Sequence, residues 1–259
     1  MDFEFKRKKG LYSIISYLII FNLLSAFISL AVASILKASN VDLTNENNYN
    51  TATSLINFLV YLVLFGALIY INHKELLPEV KTFFKNKPGN IFWKIIAGYG
   101  IFYALNLFTN VLVQNAEQTA NVANSFFNFF DQNNITSSAE NQRAIEEILK
   151  GNGLIFMFLS AGILGPICEE LVFRRAFFNI CKTKEMGILL SSLCFGLIHI
   201  TSSIGEYDLV SMILMTIPYV VSGVAFGIIY IKNDCDIVVP TIIHMLSNIV
   251  SMLGILFLI

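Results

Sequence analysis

The chain carries three histidines, and two of them, His199 and His244, lie inside long apolar runs. The acidic pair Glu169 and Glu170 is embedded in the same way, within the stretch from Gly165 to Phe173 that ends at Arg174. An ionisable group in an apolar helix costs several kcal/mol unless it is partnered, so each of these is a functional candidate. Spacing sorts them. Glu170 and Arg174 are four apart, share a helix face and can form an ion pair. Glu169 points about 100° away from that face and is left to face a cavity. Phe195 and His199 are four apart, as are His244 and Asn248. Glu169, His199, His244 and Asn248 can therefore converge from three helices on one wet pocket.

A carboxylate beside a neutral imidazole can take a proton from water and make it a nucleophile. A second imidazole with an asparagine amide can donate to a developing oxyanion, an effect often worth about 3–4 kcal/mol per donor. These are the parts for amide hydrolysis without a covalent intermediate. Neither a Gly-x-Ser-x-Gly elbow nor a His-Glu-x-x-His pair occurs in the chain. Structural roles compete for every one of these residues. A single intramembrane histidine can tie two helices together, Glu170 with Arg174 reads as an anchoring pair, Phe195 as packing, and asparagine often bridges membrane helices. Four polar positions recurring in three separate apolar segments favour chemistry over packing.

The elements that must position them are membrane helices. Of the 259 residues, 56% are hydrophobic and 14% are charged, with a mean hydropathy of +0.68. Soluble domains carry roughly a quarter charged residues, so much of this surface must face lipid. A net charge of -1 gives no basic field for nucleic acid. Apolar runs long enough to span cover 11–36, 53–72, 92–114, 154–173, 186–202, 208–231 and 237–258. Because His244 and Asn248 interrupt the last run, it can break into two helices. The expected fold is an all-α polytopic membrane protein of seven or eight helices with an intramembrane polar cavity. It reads as one membrane domain over 1–259, with a catalytic core at 151–250 and divergent helices plus an outer loop at 1–150. The four scattered cysteines suggest neither a disulfide framework nor a zinc ribbon.

Basic residues set the orientation. Lys6 to Lys9, Lys74 to Lys87, Arg174 to Lys184, and Lys232 all fall on one side, whereas the alternate connections hold Asp42, Glu46, Glu206 and Asp208. The N-terminus is therefore expected in the cytoplasm, with the chain multi-pass in the cell membrane. Lys74, Lys81, Lys85 and Lys87 are expected in a loop with His73 at its edge, and Arg175 as a flank residue whose head snorkels to the headgroups. The longest outer connection, about Gln114 to Gly153, offers a capping-box spacing at Ser137–Glu140 and an apolar stripe through Ala144, Ile145, Ile148 and Leu149. A short helix lying on the membrane surface is expected there, beside the Phe126–Phe130 cluster and a sequon at Asn134.

The three spacings resemble those of the CAAX prenyl protease and bacteriocin-processing family, also called Abi, CPBP or Rce1-like. Its motifs are Glu-Glu-x-x-x-Arg, Phe-x-x-x-His and His-x-x-x-Asn, matched in order by Glu169 to Arg174, Phe195 to His199 and His244 to Asn248. The likeness covers about residues 150–250. It implies an eight-helix fold and endopeptidase activity, with Glu169 as the base that activates water together with His199. His244 and Asn248 look like the oxyanion stabilisers, and Arg174 the partner of Glu170. Many relatives carry glycine where this chain has Arg175. The substrate implied is a peptide or a lipidated protein tail reached from the membrane; lipids are the surroundings, no nucleic acid is expected, and a membrane-protein partner is allowed.

No cofactor is expected. The alternative is a divalent metal such as zinc held by Glu169, His199 and His244, with a position open for water. Two other functions compete with proteolysis: a non-catalytic membrane regulator or immunity protein on the same scaffold, and a proton-coupled carrier. The carrier is disfavoured because the chain lacks inverted repeats and paired broken helices.

Overall fold

The computed structural model describes residues 3–85, 88–127, 145, 147–149 and 151–258. Among these every regular element is helical, and six helices are long and apolar enough to cross a membrane. We number the long helices α1 (Glu4–Ala38), α2 (Glu46–Lys85), α3 (Pro88–Phe127), α4 (Leu154–Ile180), α5 (Lys184–His199), α6 (Leu209–Lys232) and α7 (Val238–Leu258). The expected fifth span, 186–202, appears as α5, a 16-residue helix ending at His199. Large apolar side chains such as Phe27, Tyr70, Phe108 and Leu209 point outward. Such surface is at home in lipid, where only helices or closed barrels satisfy the backbone.

α4 sits at the centre. Its most apolar stretch is 56% buried, against 11% for α1 and for α3. α1, α2, α5 and α7 pack around it, and α6 clasps α5 on one side and α3 on the other. Glycines bring α5 and α6 close: a methyl on Gly223 would fall 2.8 Å from the Ser192 Cα, the small-residue approach common between membrane helices. α4 is also the irregular one. Phe158–Leu164 and Glu170–Ala176 are π-helical, and the acidic pair lies at the second of these transitions. Wider π turns shift the phase of the side chains and often accompany functional sites.

Helix starts follow local chemistry. Thr183 caps α5 by accepting from the Met186 N–H, and Asp208 caps α6 by accepting from Val210 and Ser211. α6 ends at Asn233, where Asp234 and Cys235 adopt φ of 58° and 60° and the Cys235 N–H reaches back to the Tyr230 carbonyl. Two acids receive α7: Asp236 accepts from the Val238 N–H, and Glu79, from the far end of α2, accepts from the Ile237 N–H.

Several expectations change. The Lys74–Lys85 segment continues α2 through Pro78, so His73 lies inside a helix and only Lys87 falls outside the described residues. α3 runs on to Phe127, well past the expected end near 114. α7 is continuous through His244 and Asn248. The Ser137–Glu140 capping box, Ala144 and the sequon lie outside the described residues, as do the side chains of Phe126–Phe130. Ile148 and Leu149 are buried against Met157 and Met252 rather than laid on a membrane surface.

Candidate active site

The acidic pair is placed by α4 and contacted from α2 and α7. Glu170 and Arg174 are both fully buried. Arg174 Nη2 donates to Glu170 Oε1 at 3.2 Å, while its Nε lies 2.9 Å from Oε2 as an ion-pair contact without hydrogen-bond alignment. The guanidinium carbon sits 5.1 Å from the Phe195 ring centroid and 5.4 Å from that of Phe226. Charge and ring faces therefore solvate the arginine in place of water.

His244, on α7, is drawn in by both carboxylates. Its Nδ1–H donates to Glu170 Oε1 at 3.0 Å. Since a carboxylate only accepts, this bond assigns the proton to Nδ1 and turns Nε2 toward Glu169. The distance from Nε2 to Glu169 Oε2 is 3.7 Å, too long for a direct hydrogen bond. The imidazole is stacked on Phe226 at 4.5 Å and meets the edge of Phe195 at 5.9 Å. Glu169 Oε1 accepts from the Tyr61 hydroxyl of α2 at 3.0 Å.

His199 ends α5 on the other side of Phe195, whose ring lies 4.5 Å from it. The His199 Nδ1–H donates to the Phe195 carbonyl at 2.7 Å, and the ring is stacked on Tyr219 at 4.4 Å. Phe195 thus touches both imidazoles. Asn248 is engaged elsewhere: its Nδ2 donates to the Ala161 carbonyl at 2.8 Å, within the first π-helical stretch of α4. The structure therefore gathers Glu169, Glu170, Arg174, Phe195 and His244, sets His199 against Phe195, and uses Asn248 to tie α7 to α4. His244 Nε2 lies 3.7 Å from Glu169, and His199 is within electrostatic reach of both Glu169 and His244.

Arg175 corrects an expectation. It is buried at 6% exposure and forms an ion pair with Glu79 of α2 rather than reaching the headgroups. The same Glu79 receives the start of α7, so this pair locks α2, α4 and α7 together beneath the site. It borders a cavity of about 810 Å³ lined also by Lys6, Lys182, Tyr230 and Asp236 and by none of Glu169, His199, His244 or Asn248. Tyr61 and Glu79 were not legible as partners. Tyr61 lies in an ordinary apolar run, and Glu79 is one of two acids, with Glu75, among the lysines of 74–85.

A metal would need Glu169, His199 and His244 around one point. Among the described residues no three His, Cys, Asp or Glu side chains are brought close enough to hold an ion. As placed, the donor set does not fit a metal ion.

Residues 151–250 match the family model described as type II CAAX prenyl endopeptidase, Rce1-like. The stretch bearing all three motifs is thus similar to that family, and it lies in a multi-pass helical membrane protein. Among curated proteins, the chain is 27% identical over 225 residues to an uncharacterized protein of Mycoplasma capricolum subsp. capricolum, covering 83% of this chain and 60% of that one. It is 30% identical over 117 residues to the Bacillus subtilis (strain 168) protein named "Putative membrane peptidase YdiL", covering 44% of this chain and 42% of that one. The chain therefore spans less than two thirds of the length of either relative. No solved structure matches it.

Proposed function

We propose that the chain is an intramembrane endopeptidase, acting from a single membrane domain on a peptide or a lipidated protein tail. One observation carries this reading: Glu169 Oε2 and His244 Nε2 face each other across 3.7 Å in a buried setting. With Nδ1–H given to Glu170, the neutral His244 offers Nε2 as an acceptor, so two acceptors confront each other. A water donating one hydrogen to each resolves that conflict and leaves its lone pair free to attack. The water oxygen bonds to the scissile carbonyl carbon while Glu169 takes one of the water protons and hands it across to His244 Nε2. His244 is then an imidazolium backed by Glu170, and its Nε2–H donates to the oxyanion. As the C–N bond breaks, that proton passes to the departing amine, and a carboxylic acid and an amine result. Arg174 holds the Glu170 carboxylate in place to back that imidazolium. His199, whose Nε2 is left free by the Phe195 bond, is the second proton-handling group. Asn248 holds α7 in register and supplies a second donor if its remaining amide hydrogen turns to substrate. No cofactor enters this scheme. The basic end of the molecule is assigned to the cytoplasm of a cell membrane.

The test is peptide profiling of membranes that hold the wild-type chain against membranes holding equal amounts of Glu169→Ala. Cleavage products present only in the wild type support the reading, and full turnover by the variant ends it. A non-catalytic regulator or immunity protein on the same scaffold is the second reading. It draws on how completely Glu170 and Asn248 are engaged within the fold, and it predicts that Glu169→Ala keeps its biological effect.

A further inference from the structure

We infer that Tyr61 is a positioning residue for the glutamate base, supplied by the half of the chain that bears no motif. The inference rests on the reading of Glu169 as that base. A glutamate side chain turns about three bonds, and its two oxygens are equivalent until something tells them apart. Tyr61 does so. Its hydroxyl donates to Oε1 at 3.0 Å, which leaves Oε2 as the oxygen facing His244 Nε2. A charge-assisted bond of this kind is strong enough to select one orientation of the carboxylate.

The phenol is itself held on two sides. On α4, Gly165 lies one turn before Glu169 on the same face, and the ring lies against it: a methyl there would stand 3.4 Å from Tyr61 Cζ. From α1, Phe21 meets the Tyr61 ring edge-on at 5.1 Å and stacks on Tyr17 at 4.7 Å, while Tyr17 meets Phe173 at 5.7 Å. Phe21 belongs to the π-helical turn Ile20–Leu24 of α1. An aromatic chain thus runs from α1 through Tyr61 to the carboxylate, and Phe173 returns it to the same α4 segment.

Full-length protein in lipid nanodiscs tests this with a quenched fluorogenic peptide selected from a library for cleavage by the wild-type chain. Tyr61→Phe keeps the ring and removes the donor. The expected result is a kcat lowered by about tenfold or more with KM unchanged. Phe21→Leu keeps the donor but loosens its support, and should lower kcat by a smaller factor. Infrared spectroscopy gives a readout that packing alone would not move: the carboxylate stretch absent in Glu169→Gln should shift in Tyr61→Phe. An unshifted band, or an undiminished kcat in Tyr61→Phe, overturns the inference while leaving an inactive Glu169→Gln to support the endopeptidase. Full turnover by Glu169→Gln overturns both.

Discussion

Removing one charge from the Glu170–Arg174 pair should destabilise the protein as much as removing both. Arg174→Met leaves Glu170, at 0% exposure, with only the His244 Nδ1–H for a partner. Breaking a buried pair from one side costs about 3–5 kcal/mol, because the other charge stays buried without compensation. The lost contacts with Phe195 and Phe226 are largely replaced by methionine sulfur against the same rings. Glu170→Gln keeps an acceptor for His244 but strands the guanidinium, again at about 3 kcal/mol. The double variant removes both charges of the pair, retains the acceptor and fills the space with apolar atoms. It is expected to cost no more than either single change, which amounts to a coupling of about 3 kcal/mol. The measurement is equilibrium unfolding in mixed micelles of rising SDS content. It is read from labelling of Cys168, whose thiol is free and fully buried, with the other three cysteines replaced by serine or alanine. If the two single costs simply add in the double variant, the account of this pair as a compensated buried charge is refuted.

Two further outcomes follow from single contacts. Asn248→Ala removes the donor to the Ala161 carbonyl and should cost about 1–2 kcal/mol of unfolding free energy in the same assay; no loss would mean that this bond does not tie α7 to α4. At the α6 cap, burial alone would raise the Asp208 carboxyl, yet hydrogen bonds from the Ser211 hydroxyl and the Ser211 and Val210 N–H groups hold it below its ordinary value. A depressed folded-state value means that the stabilisation is complete above the unfolded pKa of about 3.9 and is lost as pH falls through the lower folded value. Asp208→Ala should therefore cost about 1 kcal/mol at neutral pH and nothing once the wild-type carboxyl is protonated, as a pH series of unfolding curves would show.

Much of the site was legible because polar groups in apolar helices are rare and helix geometry is periodic. Glu170 and Arg174 could be paired from their spacing alone, since residues four apart share a face whatever the tertiary context. Likewise His244 and Asn248 had to lie on one side of α7. The helix ends were less legible. Hydropathy marks where the bilayer core stops, but backbone hydrogen bonding continues wherever the residues allow, as it does from His73 to Lys85 and beyond Gln114 in α3.

Composition and the distribution of apolar runs by themselves determined a bundle of membrane helices, and the short-range spacings determined which polar residues share a face. Which faces meet was decided only by the tertiary structure. Tyr61 reaches Glu169 across 108 residues and Glu79 reaches Arg175 across 96. Such contacts depend on the rotation and crossing of whole helices, and on π turns in α4 that shift side chains out of the regular phase. Local sequence sets the direction of a side chain relative to its own helix axis; only packing sets where that axis lies.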